Sequence, residues 1–128
     1  LNVMHETLRK TMPHAPRVDI VGMRSVAKLA RAVGTEPPEH LRSTALAGDV
    51  LSNALYYGLA GVFGRENAVL TGACLGMAAG FGLLLLSPAL GVGDAEVNRT
   101  PQTQIAAAGM YFGAGVIAGA LYEALADN

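Results

Sequence analysis

Long apolar stretches dominate the second half of the chain. Residues 68–87 contain no Asp, Glu, Lys or Arg, and as a helix they would span the roughly 30 Å hydrocarbon layer of a bilayer. The stretch 105–125 carries a single charge, near its end. The stretch 44–63 is interrupted by Asp49 and Asn53, and an Asp at mid-membrane costs about 2.5–3.5 kcal/mol. The pattern predicts transmembrane helices over all three stretches, with the polar groups of 44–63 facing protein or water.

Glycines recur at every fourth position inside residues 68–87 and 105–121, neither of which contains a charged residue. They form the series Gly72, Gly76, Gly80 and the pairs Gly109, Gly113 and Gly115, Gly119. In lipid, small residues at this spacing let two helix backbones approach closely. We expect the two glycine faces to pack on each other and to leave residues 83–86 and Phe112 for lipid or other helices. A tightly packed water-soluble bundle is the alternative, but residues 68–86 lack the polar face it requires.

Residues 1–42 are different, because they are basic and contain short helical patterns separated by prolines. Apolar residues fall at helical spacing over residues 1–12, and Pro13 ends this pattern. We expect 1–12 to be the end of a first helix, with the character of the tail of a fourth, N-terminal span. Residues 36–39, Glu-Pro-Pro-Glu, are predicted to be an extended linker.

Residues 19–34 are predicted to form a basic amphipathic helix. Asp19 is suited to cap its start and Gly34 to end it. Three basic side chains share one face at helical spacing: Arg24, Lys28 and Arg31. Such a helix suits the headgroup layer of a membrane, and the alternative is a surface helix docked on the bundle. The sequence thus predicts an all-α fold, a polytopic transmembrane helix bundle with an interfacial helix, in one membrane-embedded domain over residues 1–128.

The composition agrees with a membrane protein. Hydrophobic residues make up 52% of the 128 residues and charged residues 15%, against about 25% charged in soluble domains. The net charge of −1 gives no sign of a nucleic-acid partner, and the single cysteine excludes an internal disulfide. Seven of the nine Lys and Arg residues precede Thr44. By the positive-inside rule we expect 9–42 and 91–104 in the cytoplasm and 64–67 outside.

Polar side chains within the apolar stretches are the candidates for chemistry, because they are costly there. In 44–63 they recur three and four residues apart and therefore share one helix face. Two tyrosines of the last helix also align, since about three turns separate them. We expect Asp49 to face the protein interior, where an ion pair with Arg9 or Arg17 would keep it ionised. The alternatives are a hydrogen bond between helices, a proton-linked or ligand-binding role, and a solvated position near the interface. The predicted polar site comprises His5, Glu6, Arg9, Arg17, Asp19, Asp49, Ser52, Asn53, Tyr56, Tyr57, Tyr111 and Tyr122.

No motif of a known metal or catalytic site is present in the sequence. The HExxH spacing of zinc proteases, the G-x-S-x-G elbow, the P-loop and the dinucleotide fingerprint are all absent. Asn98-Arg99-Thr100 fits a glycosylation sequon, but on this topology it faces the cytoplasm. We therefore expect no metal and no other cofactor.

Three segments, His5–Arg9, Pro16–Asp19 and Gly48–Tyr57, are similar to small uncharacterised bacterial multi-span membrane proteins. The resemblance implies a bacterial inner membrane and brings no activity with it. The expected partners are the lipid bilayer and a second copy or another membrane protein.

Three functions agree with the pattern. The first is a protein that binds or moves a proton, ion or small solute at the polar site. The second is a structural or accessory subunit that docks on a larger membrane complex. The third is a membrane-embedded enzyme with His5, Glu6 and Asp49 as acid and base groups.

Overall fold

The computed structural model describes residues 1–126, which contain helices and no β-strand. The prediction of an all-α fold is therefore confirmed. The α-helices are α1 (Asn2–Thr11), α2 (Val18–Ala32), α3 (Leu41–Gly58), α4 (Ala68–Ala89), α5 (Asp94–Asn98) and α6 (Pro101–Leu125), and 3₁₀ turns occupy Leu59–Gly61 and Arg65–Asn67. α4 and α6 form the most extensive helix pair, α3 and α5 pack against it, and α2 packs on α3 and α5. Met4 of α1 reaches Gly113 of α6.

α4 and α6 pack as an antiparallel pair through glycine. Gly72 of α4 lies against the backbone of Gly115, and Gly119 lies against Ala68, so that the start of α4 meets the end of α6. A methyl group added to Gly72 or Gly115 would overlap the backbone carbonyl oxygen of the other. The two backbones therefore approach to a separation that a side chain on either residue would prevent.

The other glycine pair of α6 takes no part in this contact, contrary to our expectation. A methyl group on Gly109 would meet nothing within 4 Å, and one on Gly113 would meet the Met4 side chain of α1 at 3.1 Å. The reason is helix geometry, because Gly113 and Gly115 lie about 200° apart around the helix axis. Only one of the two glycine pairs can therefore face α4.

Among residues 1–126, two helical segments are long and apolar enough to cross a membrane, Arg65–Ala89 with a mean hydropathy of 2.1 and Pro101–Leu125 with 1.6. Only 17% of the apolar window is buried in the first and 33% in the second, whereas the core helix of a soluble protein is mostly buried. The predicted span 44–63 is not a continuous helix of this kind, since α3 ends at Gly58 and a 3₁₀ turn follows.

A side chain of α5 provides a hydrogen bond that is missing at the end of α4. Pro88 lies inside the last turn of α4 and has no N–H to donate to the carbonyl oxygen of Leu84, four residues earlier. Asn98 takes its place, since its Nδ2 donates to the Leu84 oxygen at 3.0 Å. Asn98 also donates to Asp94 Oδ1 at 2.8 Å. The asparagine of the sequon is thus a structural residue that satisfies a carbonyl released by proline.

Side chains also close the start of α6 and the start of α4. Thr100 caps α6 by accepting a hydrogen bond from the Thr103 N–H at 3.1 Å, and Pro101 occupies the first turn. At the opposite end of the pair, Glu123 Oε1 accepts from the backbone N–H of Val69 at 3.2 Å. A carboxylate at a helix N-terminus is favourable because of the helix dipole. Both ends of the α4–α6 pair are therefore fixed by specific polar contacts.

α2 is docked on the bundle. It packs against α3 and α5 and places Val21 in a small hydrophobic cluster with Val92 and Val97. The start of α2 is tied to α5, because the Arg17 N–H donates to the carbonyl oxygen of Glu96 at 2.9 Å.

Two residues of the predicted basic face of α2 form contacts within the protein. Arg24 pairs with Glu96 of α5 at 2.8 Å, and Lys28 donates to the carbonyl oxygen of Leu90. Arg24 and Lys28 therefore attach α2 to the chain between α4 and α6, as the docked alternative predicts.

The start of α2 differs from the prediction, and its end agrees with it. Arg17 occupies the N-cap position, and Asp19 lies within the first turn. There the Asp19 carboxylate accepts from Arg17 Nε at 2.9 Å and from Nη2 at 2.8 Å, so it binds a neighbouring guanidinium instead of capping the helix. Gly34 follows the helix with φ +78°, a conformation that favours glycine.

Candidate functional site

α3 has a polar face turned inward and an apolar face turned outward. Tyr57 is buried, and Asp49 and Asn53 are half-buried. On the opposite face, Leu51 is 62% exposed and Leu55 69% exposed. In water the burial of apolar surface drives helices to pack in the opposite sense. The polarity of α3 is therefore the reverse of that of a helix on the surface of a water-soluble protein. We call this arrangement, polar face inward and apolar face outward, inside-out polarity.

Two tyrosines attach α3 to the helix pair. The Tyr56 hydroxyl donates to the carbonyl oxygen of Leu75 in α4 at 2.9 Å, and the Tyr57 hydroxyl donates to that of Tyr111 in α6 at 3.1 Å. The two rings meet edge to face, with their centroids 5.3 Å apart. Tyr56 and Tyr57 are thus anchors of α3, which is a structural use of two residues of the predicted site.

A cavity of about 430 Å³ lies between α1, α2, α3, α4 and α6, and Asp49 is in its wall. Five side chains of its lining and the α-amino group of Leu1 can carry charge, and apolar side chains provide most of the rest. The charged side chains are those of His5, Glu6, Asp19, Arg42 and Asp49, and the apolar ones include Val21, Met23, Leu46, Leu83 and Met110. Tyr111 also lines the cavity. Five residues of the predicted site, His5, Glu6, Asp19, Asp49 and Tyr111, therefore meet here.

Asp49 has amide neighbours and no ion pair. Asn53 Nδ2 donates to Asp49 Oδ1 at 3.0 Å, and Asn2 of α1 also faces the carboxylate. Among residues 1–126, no Lys, Arg or His nitrogen lies within 4.0 Å of its oxygens. Asp49 is thus a half-buried carboxylate that faces a cavity.

The predicted ion pair of Asp49 with Arg9 or Arg17 is wrong. Arg9 Nη2 binds Glu6 Oε1 at 2.8 Å, one turn away on α1, and Arg17 binds Asp19, two residues away. Each arginine therefore pairs with a carboxylate that is close to it in sequence. Such a local pair fixes fewer residues than a contact with Asp49 would. Arg9 and Arg17 lie outside the cavity wall as a result.

His5 joins α1 to the turn before α2. Its Nε2 bonds the carbonyl oxygen of Pro16 at 3.1 Å, and because a carbonyl only accepts, Nε2 carries the proton. Asp19 Oδ1 lies 3.7 Å from the same nitrogen. Outside the apolar helices, the Arg17 guanidinium holds the pKa of Asp19 below its ordinary value of 3.8. Within residues 1–126, Asp49 is the only one of the three proposed acid–base groups that lacks an ion pair.

The remaining residues of the predicted site lie elsewhere. Ser52, Asn53 and Tyr56 line a second, more open cavity of about 570 Å³ between α2, α3 and α4, and Tyr111 lines both cavities. Tyr122 lies over Gly61, near the opposite end of the bundle. The polar residues of α3 therefore line two cavities. Asp49 lines the first, and Ser52, Asn53 and Tyr56 line the second.

The sequence analysis missed two polar residues of the first cavity, Asn2 and Arg42. Helical spacing could have identified both residues. Asn2 lies three residues from His5, and Arg42 lies seven residues from Asp49, so each shares a helix face with a residue of the predicted site. Charge and amide character at these spacings would have placed them beside the predicted site.

The described part of the chain, residues 1–126, contains no group of three or more His, Cys, Asp or Glu side chains that could hold a metal ion. Compared with known protein families, with curated proteins and with solved structures, the chain shows no match.

Proposed function

We propose that the chain is an integral membrane protein with a polar site inside the bilayer, centred on Asp49, where it binds or moves a proton, an ion or a small solute. The observation that carries this proposal is the inside-out polarity of α3. Its apolar face points outward and its polar face points to a cavity, an arrangement that is stable where the surroundings are apolar. α3 is then a third membrane-embedded helix beside α4 and α6.

The outer surface of the α4–α6 pair supports the same proposal. Leu70 and Leu85 of α4 are 67% and 70% exposed, and Ile105 of α6 is 72% exposed. An apolar belt of this kind on both helices is suited to contact acyl chains.

The distribution of basic residues supports one orientation. All Lys and Arg residues except Arg65 lie in α1, in α2 or at its N-cap, in the first turn of α3 or in the segment next to α5. Arg65 lies in the turn before α4, at the opposite end of the pair. By the positive-inside rule, the end with α2 and α5 faces the cytoplasm, in a bacterial inner membrane.

The position of Asp49 supports a functional use of its carboxylate. It shares a cavity with Tyr111, which lies near the middle of α6 and hence at depth in the proposed membrane. A carboxylate at that depth costs about 2.5–3.5 kcal/mol, and such groups usually serve transport or binding.

The orientation of α3 is tested with spin labels in lipid. In a Cys74→Ala background, labels at Leu51→Cys and Leu55→Cys should collide with dissolved oxygen, which concentrates in lipid. A label at Asn53→Cys should collide with a water-soluble nickel complex. The opposite pattern would show that α3 is not membrane-embedded.

The role of Asp49 is tested in proteoliposomes with an internal pH-sensitive dye and an imposed membrane potential. We expect a protein-dependent proton or ion flux that Asp49→Asn removes while the variant stays folded and assembled. Loss of assembly in Asp49→Asn would favour an accessory subunit. A flux equal to that of the unchanged protein would contradict the proposal.

An accessory subunit is the second candidate, and α2 provides the observation that favours it. Leu29 and Val33 are 66% and 68% exposed and lie four residues apart on the surface of this helix. Such a pair can contact a partner protein as well as the lipid headgroup layer. Purification in mild detergent at native abundance would identify a stoichiometric partner, and Leu29→Ser with Val33→Ser should release it.

A further inference from the structure

We propose that the cavity of about 430 Å³ at Asp49 binds a monovalent organic cation, an ammonium or guanidinium group attached to an apolar body. This inference rests on the proposed function and specifies its ligand. It follows from three features of the cavity, which are its charges, its lack of metal ligands and its apolar and aromatic lining.

Of the three carboxylates in the cavity wall, two already form ion pairs with arginine. Glu6 is bound by Arg9 at 2.8 Å, and Asp19 is bound by Arg17 at 2.8 Å. Asp49 has no such contact, since among residues 1–126 no cationic nitrogen lies within 4.0 Å of its oxygens, and the Leu1 α-amino group and His5 act on it only from further away. Arg42 is exposed and lies two helical turns, about 10 Å, from Asp49 along α3, so water screens its charge. A single positive charge is therefore the complement of this site.

A bare metal ion does not fit the site. Calcium takes six to eight oxygen ligands and magnesium needs a nearly ideal octahedron. Asp49 is joined by the amides of Asn53 and Asn2, and among residues 1–126 no cluster of His, Cys, Asp and Glu could complete a shell. An organic cation needs no such shell, because an N–H group donates to one carboxylate or a quaternary nitrogen contacts it directly.

The lining suits an apolar body. Leu83 and Met110 form part of the wall, with Met23 and Leu46 at other positions. Met side chains adapt to ligands of different shape, and Tyr111 places an aromatic residue in the wall, a type of side chain that attracts cations. The volume lies within the range of about 300–1,000 Å³ that is usual for small-molecule sites.

The test measures binding of benzyltrimethylammonium to the full chain in lipid nanodiscs by isothermal titration calorimetry. Neopentylbenzene, which replaces the charged nitrogen with carbon, is the neutral comparison, and sodium chloride is the competing inorganic cation. We expect saturable binding of the ammonium compound that sodium does not displace, and binding of the neutral compound weaker by about tenfold or more.

Two substitutions address the carboxylate. Asp49→Asn keeps the size of the side chain and should weaken ammonium binding by about tenfold or more, and Glu36→Gln, in the exposed linker, is the matched control. If Asp49→Asn fails to fold, Leu46→Lys replaces it as the test. Leu46 is 54% exposed and lies three residues before Asp49, so a lysine there can pair with the carboxylate and should abolish binding. Leu46→Gln is its control.

The outcomes separate this inference from the proposed function. Ammonium binding that is lost in Asp49→Asn or Leu46→Lys supports both. An Asp49-dependent flux of protons or sodium without ammonium binding overturns the organic cation and leaves the proposed function standing. Equal binding of the ammonium compound by Asp49→Asn, or equal binding of its neutral analogue, overturns the inference.

Discussion

The α4–α6 pair and the helices around it are held by different forces. Backbones of α4 and α6 touch at Gly72 and Gly115, without a polar side chain between them. The surrounding helices are joined to the pair and to one another by side-chain hydrogen bonds and ion pairs, such as Tyr57 to the Tyr111 carbonyl and Arg24 to Glu96. The pair is closely packed, whereas two cavities lie between α3 and its neighbours.

This difference separates the part that fixes the fold from the part that offers chemistry. Close backbone contact leaves no room for a ligand or for water. Longer polar side chains hold helices further apart and leave spaces that are lined by their own polar groups. Asp49 lies in the second region, and its cavity exists because α3 is held to α6 at the Tyr57 hydroxyl and not by small residues.

The largest expected effect concerns the glycine contact. In Gly115→Ala the new methyl group overlaps the Gly72 backbone, so the two helices must separate. Overpacking of this kind costs about 1–3 kcal/mol, and here backbone rather than a side chain must move, so we expect the upper end. Unfolding by sodium dodecyl sulfate, followed by circular dichroism, measures the loss.

Gly109→Ala is the matched control on the same helix. A methyl group there meets nothing within 4 Å, and alanine favours a helix by about 1 kcal/mol over glycine in an exposed position. This variant should therefore be as stable as the unchanged protein or slightly more stable. Equal destabilisation of both variants would show that helix propensity, and not the close contact, determines the result.

The next effect concerns the junction between α4 and α5. Asn98→Ala leaves the Leu84 carbonyl without its hydrogen bond, because Pro88 cannot provide one. An unsatisfied buried acceptor costs about 1–3 kcal/mol. We expect a loss of stability in this range, measured by the same unfolding experiment.

A second substitution tests the cause. Pro88→Ala restores an N–H at the position that pairs with Leu84 in a regular helix, so it should recover part of the loss in the Asn98→Ala background. In the unchanged background, the same substitution should have a smaller benefit. Additive effects of Asn98→Ala and Pro88→Ala would contradict a shared carbonyl.

The fold was largely predictable where the sequence keeps one character, such as uncharged residues, over the whole length of a helix. Residues 68–87 are uncharged throughout, and α4 covers them as Ala68–Ala89. The break after Gly58 was not predictable in this way, because hydropathy continues through residue 63 while the backbone turns. The partner of each glycine pair also required the structure, since spacing defines a face and not the helix that it meets.

The site was predictable as a set of residues and less so as a set of contacts. Helical spacing brought Asp49 and Asn53 onto one face, and they form a hydrogen bond at 3.0 Å. Charge complementarity suggested Arg9 and Arg17 as partners of Asp49, but nearer carboxylates bind them. Sequence identifies which groups carry opposite charge, whereas the choice among several carboxylates depends on distances of a few ångströms.

The smallest expected effect concerns pH, in the polar region around α2. Arg17 lowers the pKa of Asp19 below 3.8, so the folded protein binds this proton less readily than the unfolded chain. The ionised carboxylate therefore stabilises the fold at pH values above about 4, and this contribution is lost as the pH falls through the lowered pKa. Asp19 is partly exposed, and water reduces the effect to below about 1 kcal/mol.

Asp19→Asn removes this titration and keeps the shape of the side chain. Unfolding measured between pH 2 and 6 should therefore show a weaker acid dependence in the variant, and the two proteins should become equally stable at the acid end. Glu36→Gln, in the exposed linker, should leave the dependence unchanged. The Gly115→Ala variant should keep the acid slope of the unchanged protein, because the glycine contact contains no titratable group. A change of slope in Gly115→Ala would mean that the closely packed pair and the polar helices do not act as separate regions.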